Sequence, residues 1–266
     1  MVSTKTTAAA NGVKMISRTE LEHYVNNLLQ CNTIKDYCPN GLQVEGKTEI
    51  KTIITGVTAC QKLLDAAVEK NADAIFVHHG YFWKGEAYPI IGIKKKRLAT
   101  LLNHDISLFG YHLPLDLHAT LGNNAQLAKR LGIKNTISFD TGTSPSYGII
   151  GDLSSPLSAQ KFSMHVGKVL DREPLLIQAN DQNIQRIAIC TGGAQDFVEH
   201  AALAGADLYL SGEISERTTH SALENNIHYI AAGHHATERY GIQTLGEHLA
   251  EKFDLEHEFI DIDNPA

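Results

Sequence analysis

Two adjacent histidines, His78 and His79, end an apolar run and precede a glycine in the stretch "FVHHGYFWKGE" of residues 76–86. Neighbouring side chains of a strand point to opposite faces, so both histidines can serve one site only where the strand stops being regular. Gly80 suits such a place, because glycine adopts backbone angles that other residues avoid. Imidazole nitrogens are common metal ligands. The pair therefore predicts a ligand site at the end of a strand.

Two further histidines are each followed four residues later by an acid: His112 by Asp116, and His234 by Glu238. The second pair leads into a helical pattern, where a spacing of four residues brings both side chains onto one face. Pro114 lies inside the first pair, so we expect an irregular loop rather than a helix to present Asp116. An imidazole and a carboxylate held close together can share one metal ion.

The candidate ligands are five of these positions, namely His78, His79, Asp116, His234 and Glu238, which offer three imidazoles and two carboxylates to a metal site. This set suits zinc, iron or manganese and is too rich in histidine for calcium or magnesium. A mononuclear catalytic site typically has three protein ligands, so five predict two divalent transition-metal ions about 3.5–4 Å apart. Glu238, the longer acid, is the expected bridge between the two ions. Such a pair of ions lowers the pKa of a shared water molecule, which predicts hydrolysis.

These residues also have simpler interpretations. A single histidine at a strand end is more often hydrogen-bonded in the core or at the surface than bound to a metal, but two adjacent histidines and two matched pairs favour the metal site. The segment "TGGAQDF" (191–197) could bind phosphate at a helix N-terminus, although it lacks the Gly-Lys of a P-loop and is more typical of a tight turn. Glu213 and His220, in "SGEISERTTH", are candidates to support the metal ligands through hydrogen bonds.

The elements that must position these residues alternate between short β-branched runs and helical segments. This alternation predicts an α/β fold whose strands are mostly parallel. The first helix is expected to begin after Ser17, which is followed three residues later by Glu20 in the pattern of a capping box.

The chain also resembles itself. The aligned segments are residues 61–80 with residues 195–214, and residues 98–116 with residues 220–238. In these alignments Asp73 meets Asp207, and His112 meets His234. We therefore expect two related halves that face one another, with the ligands gathered beyond the carboxyl ends of the parallel strands.

The composition is that of an ordinary globular protein: 266 residues, of which 43% are hydrophobic and 20% charged. A net charge of −7 argues against binding of duplex nucleic acid. No apolar run reaches the ~18 residues of a membrane span. The four cysteines lack Cys-x-x-Cys spacing, so we expect a reducing cytoplasm. Residues 1–14 are small and polar, and we expect a disordered extension or a remnant of cloning.

Six motifs occur in a fixed order along the chain: "NGLQVEG", "VHHGYFWKGE", "YHLPLDLHATLGNNAQLA", "CTGGAQDF", "SGEISERTTHSA" and "AAGHHATERYG". They resemble those of the NIF-three-like dinuclear metal-centre proteins, also called GTP cyclohydrolase 1 type 2 homologues. The resemblance covers residues 15–266 and is to the short bacterial members, which lack an inserted central domain. It implies the five metal ligands given above. It also places His112 outside the ligand set, facing the substrate or supporting the ligands, where His112 is expected to assist proton transfer.

The same resemblance implies a fold of two related, intertwined α/β domains with mostly parallel or mixed sheets and the metal site in the cleft between them. The first domain is expected to span residues 15–125 plus 236–266, and the second residues 126–235. A homohexamer built as a trimer of dimers is also implied.

The sequence therefore predicts a dinuclear-metal-dependent hydrolase that acts on a small nucleotide-like substrate, as the cyclohydrolase name implies. Opening of the guanine ring and cleavage of a phosphoester or an amide are all compatible with such a site. The alternative is a non-catalytic metal-binding scaffold or regulatory interaction protein whose ions stabilise the domain interface. A third hypothesis is a nucleotide-binding module that uses Thr191 to Ala194 and binds its ligand without metal.

Overall fold

A computed structural model of the chain describes residues 15–266, and the extension expected at residues 1–14 lies outside the described residues. The strands within the described part are β1 (Ile16–Ser17), β2 (Gly41–Val44), β3 (Glu49–Ile50), β4 (Thr52–Thr58), β5 (Ala74–His79), β6 (Ser107–Gly110), β7 (Lys134–Ser138), β8 (Ile149–Ser158), β9 (Leu175–Ile177), β10 (Asn183–Ile189), β11 (Leu208–Ser211), β12 (His228–Ala231) and β13 (Glu256–Phe259). The helices there are α1 (Arg18–Leu28), α2 (Gln61–Glu69), α3 (Gly92–Asn103), α4 (Leu113–Asp116), α5 (Asn123–Arg130), α6 (Ala159–Leu170), α7 (Val198–Leu203), α8 (Glu216–Glu224), α9 (His234–Thr237) and α10 (Arg239–Phe253). Ser17 caps α1 by accepting a hydrogen bond from the backbone N–H of Glu20 at 3.2 Å, as predicted.

The first sheet has the strand order β13, β4, β5, β6, β2. Its first four strands are parallel, and the edge strand β2 runs antiparallel to β6. Helices α1 and α10 cover one face, and helices α2 and α3 cover the other. Phe76 and Val77 of β5 therefore lie on opposite faces and are both fully buried. Burial on both faces explains the continuous apolar run that precedes His78.

The second sheet has the order β7, β8, β10, β11, β12, β9. Strands β10, β11 and β12 are parallel, and β7, β8 and β9 pair with their neighbours in the antiparallel sense. Phe162 and Val166 of α6 pack on one face with Leu127 of α5. Helices α7 and α8 cover the other face, where Tyr209 and Tyr229 are fully buried. This sheet, too, has a core on each side.

Asp73 and Asp207 occupy matching positions before β5 and β11. In each case one carboxylate oxygen accepts hydrogen bonds from two consecutive backbone N–H groups of the neighbouring strand or its entry, just before the point where the two strands begin to pair. These groups belong to Lys51 and Thr52 for Asp73, and to Gln185 and Arg186 for Asp207. Each sheet also has three central parallel strands followed by an antiparallel edge strand. The expectation of two related halves, derived from the self-alignment, is confirmed.

The chain leaves the first sheet after β6, forms the second sheet, and returns through α10 to add β13 beside β4. Ile242, Leu245 and Leu249 of α10 are fully buried against the first sheet. The α/β class and the mixed, intertwined sheets are confirmed, whereas the domain boundaries near residues 126 and 235 stay a prediction. No helix within residues 15–266 combines the length and apolar character needed to cross a bilayer.

Candidate metal centre

The predicted ligands lie where the carboxyl ends of strands from the two sheets meet. His78 and His79 are the last residues of β5. Asp116 ends α4, which follows β6, and His234 begins α9, which follows β12. This is the edge at which open α/β sheets bind their ligands.

The expectation of an irregular loop before Asp116 is wrong. Residues 113–116 form the one-turn helix α4, with Pro114 in its first turn. Proline is tolerated there, because the N–H groups of a first turn have no partner within the helix and the fixed φ of proline is helical. The turn returns the backbone N–H of Asp116 to the carbonyl of His112, at 3.2 Å.

The expected helix through His234 and Glu238 is interrupted. Helix α9 ends at Thr237, and Glu238 has φ −111° and ψ 9° at the junction with α10. The side chains of His234 and Glu238 still meet, with 3.1 Å between Nε2 and Oε2.

Hydrogen bonds on the outer side of the site fix the ring orientation of two histidines. Nδ1 of His78 lies 2.9 Å from the carbonyl oxygen of Tyr111, and Nδ1 of His234 lies 2.6 Å from Oε1 of Glu213. Because a carbonyl or a carboxylate can only accept, each Nδ1 carries the hydrogen. The neutral ring then directs the lone pair of Nε2 into the centre, as a metal ligand must.

Glu238 occupies the middle of the cluster. Its Oε2 lies 3.2 Å from Nε2 of His79 and 3.1 Å from Nε2 of His234, and its Oε1 lies 3.6 Å from Nε2 of His78. Oε2 is buried and makes no hydrogen bond of acceptable geometry. A buried acceptor that faces the lone pair of another acceptor is costly unless a cation lies between them. The donor set therefore fits bound metal ions.

Gly192 leaves the space that the cluster needs. Its φ is +68°, and a Cβ atom at this position would collide with Oε1 of Glu238 and would come within 3.1 Å of Nε2 of His234. Glycine is thus required both for the backbone conformation and for the room beside the carboxylate.

Asn123, at the start of α5, joins the ligands of the two sheets. Its Nδ2 donates to Oδ1 of Asp116 at 2.7 Å, and its Oδ1 accepts from the backbone N–H of Gly241 at 2.8 Å. The residue is fully buried. The contact positions Asp116 relative to helix α10, which begins directly after Glu238.

His112 has a separate acidic partner. Its Nδ1 lies 2.8 Å from Oδ1 of Asp36, whose side chain is only 2% exposed. The other oxygen of Asp36 accepts from the backbone N–H of Leu113 at 2.9 Å. Because a carboxylate can only accept, Nδ1 of His112 carries a hydrogen, and Nε2 is the other nitrogen of the ring.

The carboxylates of the site act strongly on the histidines. Burial lowers the pKa of His78, but Asp116 and Glu238 outweigh it and raise the pKa to about 9. Burial likewise lowers the pKa of His234, yet its neighbouring carboxylates raise it to about 9. At His79 burial prevails over Glu238, and the pKa falls to about 4.

The pKa values of the two carboxyl groups, Asp116 and Glu238, shift in opposite directions. Burial raises the pKa of Asp116, and repulsion from Glu238 adds to the increase. Burial also acts to raise the pKa of Glu238, but His79 and His78 hold it well below its usual range. The centre of the cluster therefore requires positive charge, which bound metal ions or ring protons supply.

Two groups of three residues have ligand atoms within 4.8 Å of one another and share Glu238, namely His79, His234 and Glu238, and His78, Asp116 and Glu238. The sequence-predicted ligands are thus brought together in the described part of the chain as two overlapping sets. His112 joins His78 and His79 in a third group, and it joins Asp36 and Cys38 in a fourth.

The segment considered for phosphate binding is a tight turn, and two of its amides have partners within the chain. The N–H of Thr191 donates to Oδ1 of Asn124 at 2.9 Å, and the N–H of Gly192 donates to Oγ1 of Thr237 at 3.1 Å. A single 3-10 turn, Gln195–Phe197, follows it. These two amides are not available to a phosphate group.

Sequence reasoning identified some of the supporting residues and missed others. Glu213 contacts His234 as considered from the sequence, whereas His220 is exposed on α8. Asp36 and Asn123 were not anticipated, because both act on residues far away along the chain. The sequence marks them only as polar residues of the turn-like stretches "DYCPNG" and "LGNNAQ".

A cavity of about 580 Å³ opens in front of the cluster. The cavity is lined by His79, Asp116, His234 and Glu238, together with His112. Residues of both halves therefore enclose the space that a substrate would occupy beside the ligands.

Comparisons with known proteins give a consistent result. The sequence profile of the family described as Duf34/NIF3 (NGG1p interacting factor 3) matches residues 16–265. The "GTP cyclohydrolase 1 type 2 homolog" of Pseudomonas aeruginosa is 54% identical over 251 residues, which cover 94% of this chain and 99% of that protein. The protein of the same name from Haemophilus influenzae is 53% identical, covering 94% of this chain and 100% of the relative.

Solved structures agree with the fold. Protein ybgI, described as of unknown function, superposes with a TM-score of 0.90 at 50% identity, covering 94% of this chain and 100% of that one. TTHA1606 from Thermus thermophilus gives a TM-score of 0.85 at 31% identity, covering 94% and 100% of the two chains.

Proposed function

Because the chain belongs to the Duf34/NIF3 (NGG1p interacting factor 3) family, we propose that it is a dinuclear-metal-dependent hydrolase acting on a small nucleotide-like substrate. The observation that carries this proposal is the position of Glu238, which belongs to both groups of candidate ligands. A carboxylate shared in this way is the bridge expected in a two-metal hydrolase. The substrate class comes from the relatives, which are named GTP cyclohydrolase 1 type 2 homologs.

The proposed metal ligands are His78, His79, Asp116, His234 and Glu238, and their donor atoms suit iron, zinc or manganese. Two such ions, when bound, lower the pKa of water toward neutrality and supply hydroxide for hydrolysis. The carbonyl of Tyr111 and the carboxylate of Glu213 hold two of the imidazoles in the orientation that binding requires.

His112 is the proposed proton-transfer group. It lines the cavity, and its ring centroid lies 5.1 Å from that of His78. Asp36 holds the Nδ1 hydrogen and would stabilise the imidazolium that forms when Nε2 takes a proton. A positioned base of this kind contributes about 10²–10⁴-fold to the rate of a hydrolytic step.

A second candidate function is a metal-binding scaffold without turnover. It is favoured by the origin of the ligands, because His78 and His79 end a strand of the first sheet whereas His234 follows a strand of the second. Ions bound between them would join the two halves and stabilise the fold by mass action. We also propose, together with the hydrolase function, a cytoplasmic location and a homohexamer built as a trimer of dimers. Sedimentation analysis tests the hexamer.

The deciding experiment measures metal content and turnover together. Protein purified from its own host is analysed for metal per chain, and product release from a panel of nucleotides is followed with and without chelator. Glu238→Ala is compared with Glu247→Ala, which changes an exposed acid of the neighbouring helix α10. Two equivalents of metal and turnover that only Glu238→Ala abolishes support the hydrolase. Bound metal without turnover, whose removal only lowers the melting temperature, supports the scaffold.

A further inference from the structure

Four aromatic side chains line the cavity together with the proposed metal ligands. Trp83 follows β5, Tyr37 precedes β2, and Tyr147 and Phe197 belong to the second half of the chain. The rings of Tyr147 and Phe197 meet edge to face, with 6.2 Å between their centroids. Aromatic rings contributed by both halves of the chain provide faces on which a planar molecule can stack.

The same cavity offers little to a polyanion. None of the described residues that line it is a lysine or an arginine, and Asp116 and Glu238 contribute carboxylates to its wall. The carboxylates of Asp36 and Glu213 lie directly behind His112 and His234. Two divalent ions would bring four positive charges, which these four carboxylates balance. The loaded centre therefore provides no net charge to attract several phosphates.

The backbone does not supply the missing phosphate site. The turn that lines the cavity at Thr191 and Gly193 has its first two amides bonded within the chain, as described above. Of the turn residues that line the cavity, Gly193 and Ala194 then retain an amide for a ligand, fewer donors than the ring of amides in a P-loop. Recognition must then come from ring faces and from the metal centre.

We infer that the substrate of this site is an uncharged planar ring compound, at the level of a nucleobase or nucleoside, and that a triphosphate group adds nothing to its binding. This inference rests on the proposed hydrolase function and narrows its substrate class. An enzyme that selects a nucleoside triphosphate would differ from this chain, because it would need cationic side chains around the phosphates.

Ligand binding in the cavity can be followed by tryptophan fluorescence, because Trp83 lines the cavity and is the single tryptophan of the sequence. The indole N–H donates to the carbonyl of Gly80 at 3.1 Å, and the ring centroid lies 4.9 Å from that of His112. A ring compound bound in the cavity would stack near this indole and quench its fluorescence.

The experiment titrates guanine, guanosine, GMP and GTP into the full chain and follows Trp83 fluorescence at the red edge of its absorption. Metal-loaded and chelator-treated protein are titrated in parallel. We expect guanosine and GTP to have dissociation constants within about threefold of each other in both forms. A preference of about tenfold or more for GTP in either form overturns the inference, because it requires a phosphate site.

Phe197→Leu tests the role of the aromatic wall. Loss of one stacking face is expected to weaken guanosine binding about five- to tenfold. Tyr88→Leu is the matched control, since Tyr88 is 97% exposed and lies outside the cavity. Melting temperature and metal content, measured for both variants, establish that each is folded.

The failure of this inference is distinct from that of the proposed function. If no ring compound quenches Trp83 while the loaded protein hydrolyses a simple ester and Glu238→Ala does not, the substrate class is wrong and the hydrolase stands. Equal losses of guanosine binding in Phe197→Leu and Tyr88→Leu would also overturn the stacking site.

Discussion

Oε1 of Glu213 lies 2.6 Å from Nδ1 of His234, while Nε2 of the same ring faces Glu238 at 3.1 Å. The imidazole is thus held between a carboxylate outside the cluster and a carboxylate within it. A partner of this kind fixes the tautomer of a metal-binding histidine and increases the basicity of its inner nitrogen.

Glu213→Ala is therefore expected to weaken metal binding about 10–100-fold without unfolding the protein. Glu213→Gln should lose less, because the amide oxygen still accepts the Nδ1 hydrogen. Competition with a chromophoric chelator measures both affinities. Glu216→Gln, an exposed acid in the first turn of α8, serves as the control. Unchanged affinity in Glu213→Ala would contradict the supporting role of this carboxylate.

The sequence predicts those parts of the site that depend on local pattern. The apolar strand before His78 and the four-residue spacing of His234 and Glu238 are local features, and both led to the edge of the sheets where the ligands lie. Pro114, which lies between His112 and Asp116, led to the wrong prediction of an irregular loop. Proline disrupts the interior of a helix but is tolerated in the first turn, where Pro114 lies.

The remaining parts depend on contacts between distant segments. Asp36 reaches His112 across more than seventy residues, and Asn123 reaches Gly241 across more than a hundred. Only the folded topology sets these distances, so no local pattern indicates them. The aromatic lining of the cavity, which includes Trp83 and Phe197 from different halves, could not be predicted from the sequence for the same reason.

Gly192→Ala is expected to remove metal binding as well as to destabilise the fold. The new Cβ would collide with Oε1 of Glu238 and also meet a φ of +68°. Gly205→Ala separates the two effects, because Gly205 has a φ of +78° with no atom within 4 Å of the added Cβ. The control should lose about 1 kcal/mol of stability and keep its metal.

Elemental analysis and denaturant unfolding of both variants provide the measurements. Equal metal content in Gly192→Ala and Gly205→Ala would show that the space beside Glu238 is not needed.

Asp36→Asn is expected to lower kcat by about 10²-fold or more while the metal content stays that of the unchanged protein. The carboxylate accepts hydrogens at both oxygens, from His112 and Tyr37 at one and from Asn40 and Leu113 at the other. In asparagine an NH2 group, which donates, replaces one of the two carboxylate oxygens. The two groups that donated to that oxygen would then face another donor and lose their hydrogen bonds. The variant should therefore also lose about 1–3 kcal/mol of stability.

Steady-state kinetics, metal analysis and denaturant unfolding test this prediction, with Asp65→Asn, an exposed aspartate of α2, as the control. An unchanged kcat in a variant that is measurably destabilised would remove His112 from proton transfer.

The carboxyl group of Asp73, which lies outside the metal centre, is expected to make the stability of the fold depend on pH. Burial acts to raise its pKa, but hydrogen bonds from Lys47 and from the backbone N–H groups of Thr52 and Lys51 lower it below 3.8. A carboxyl group whose pKa is lower in the folded state stabilises the fold above its unfolded pKa of about 3.9, and this contribution is lost as the pH falls through the folded value.

Asp73→Asn should accordingly cost about 1–2 kcal/mol in the free energy of unfolding at pH 7, where the carboxylate is fully ionised in both states. Because the carboxylate of the unchanged protein becomes protonated in acid, the difference between the two proteins should shrink as the pH falls below about 4. Urea unfolding at a series of pH values measures it, and Asp65→Asn corrects for the change in net charge. If the difference in the free energy of unfolding stays constant from pH 7 down to the acid limit, the negative charge of Asp73 does not stabilise the fold.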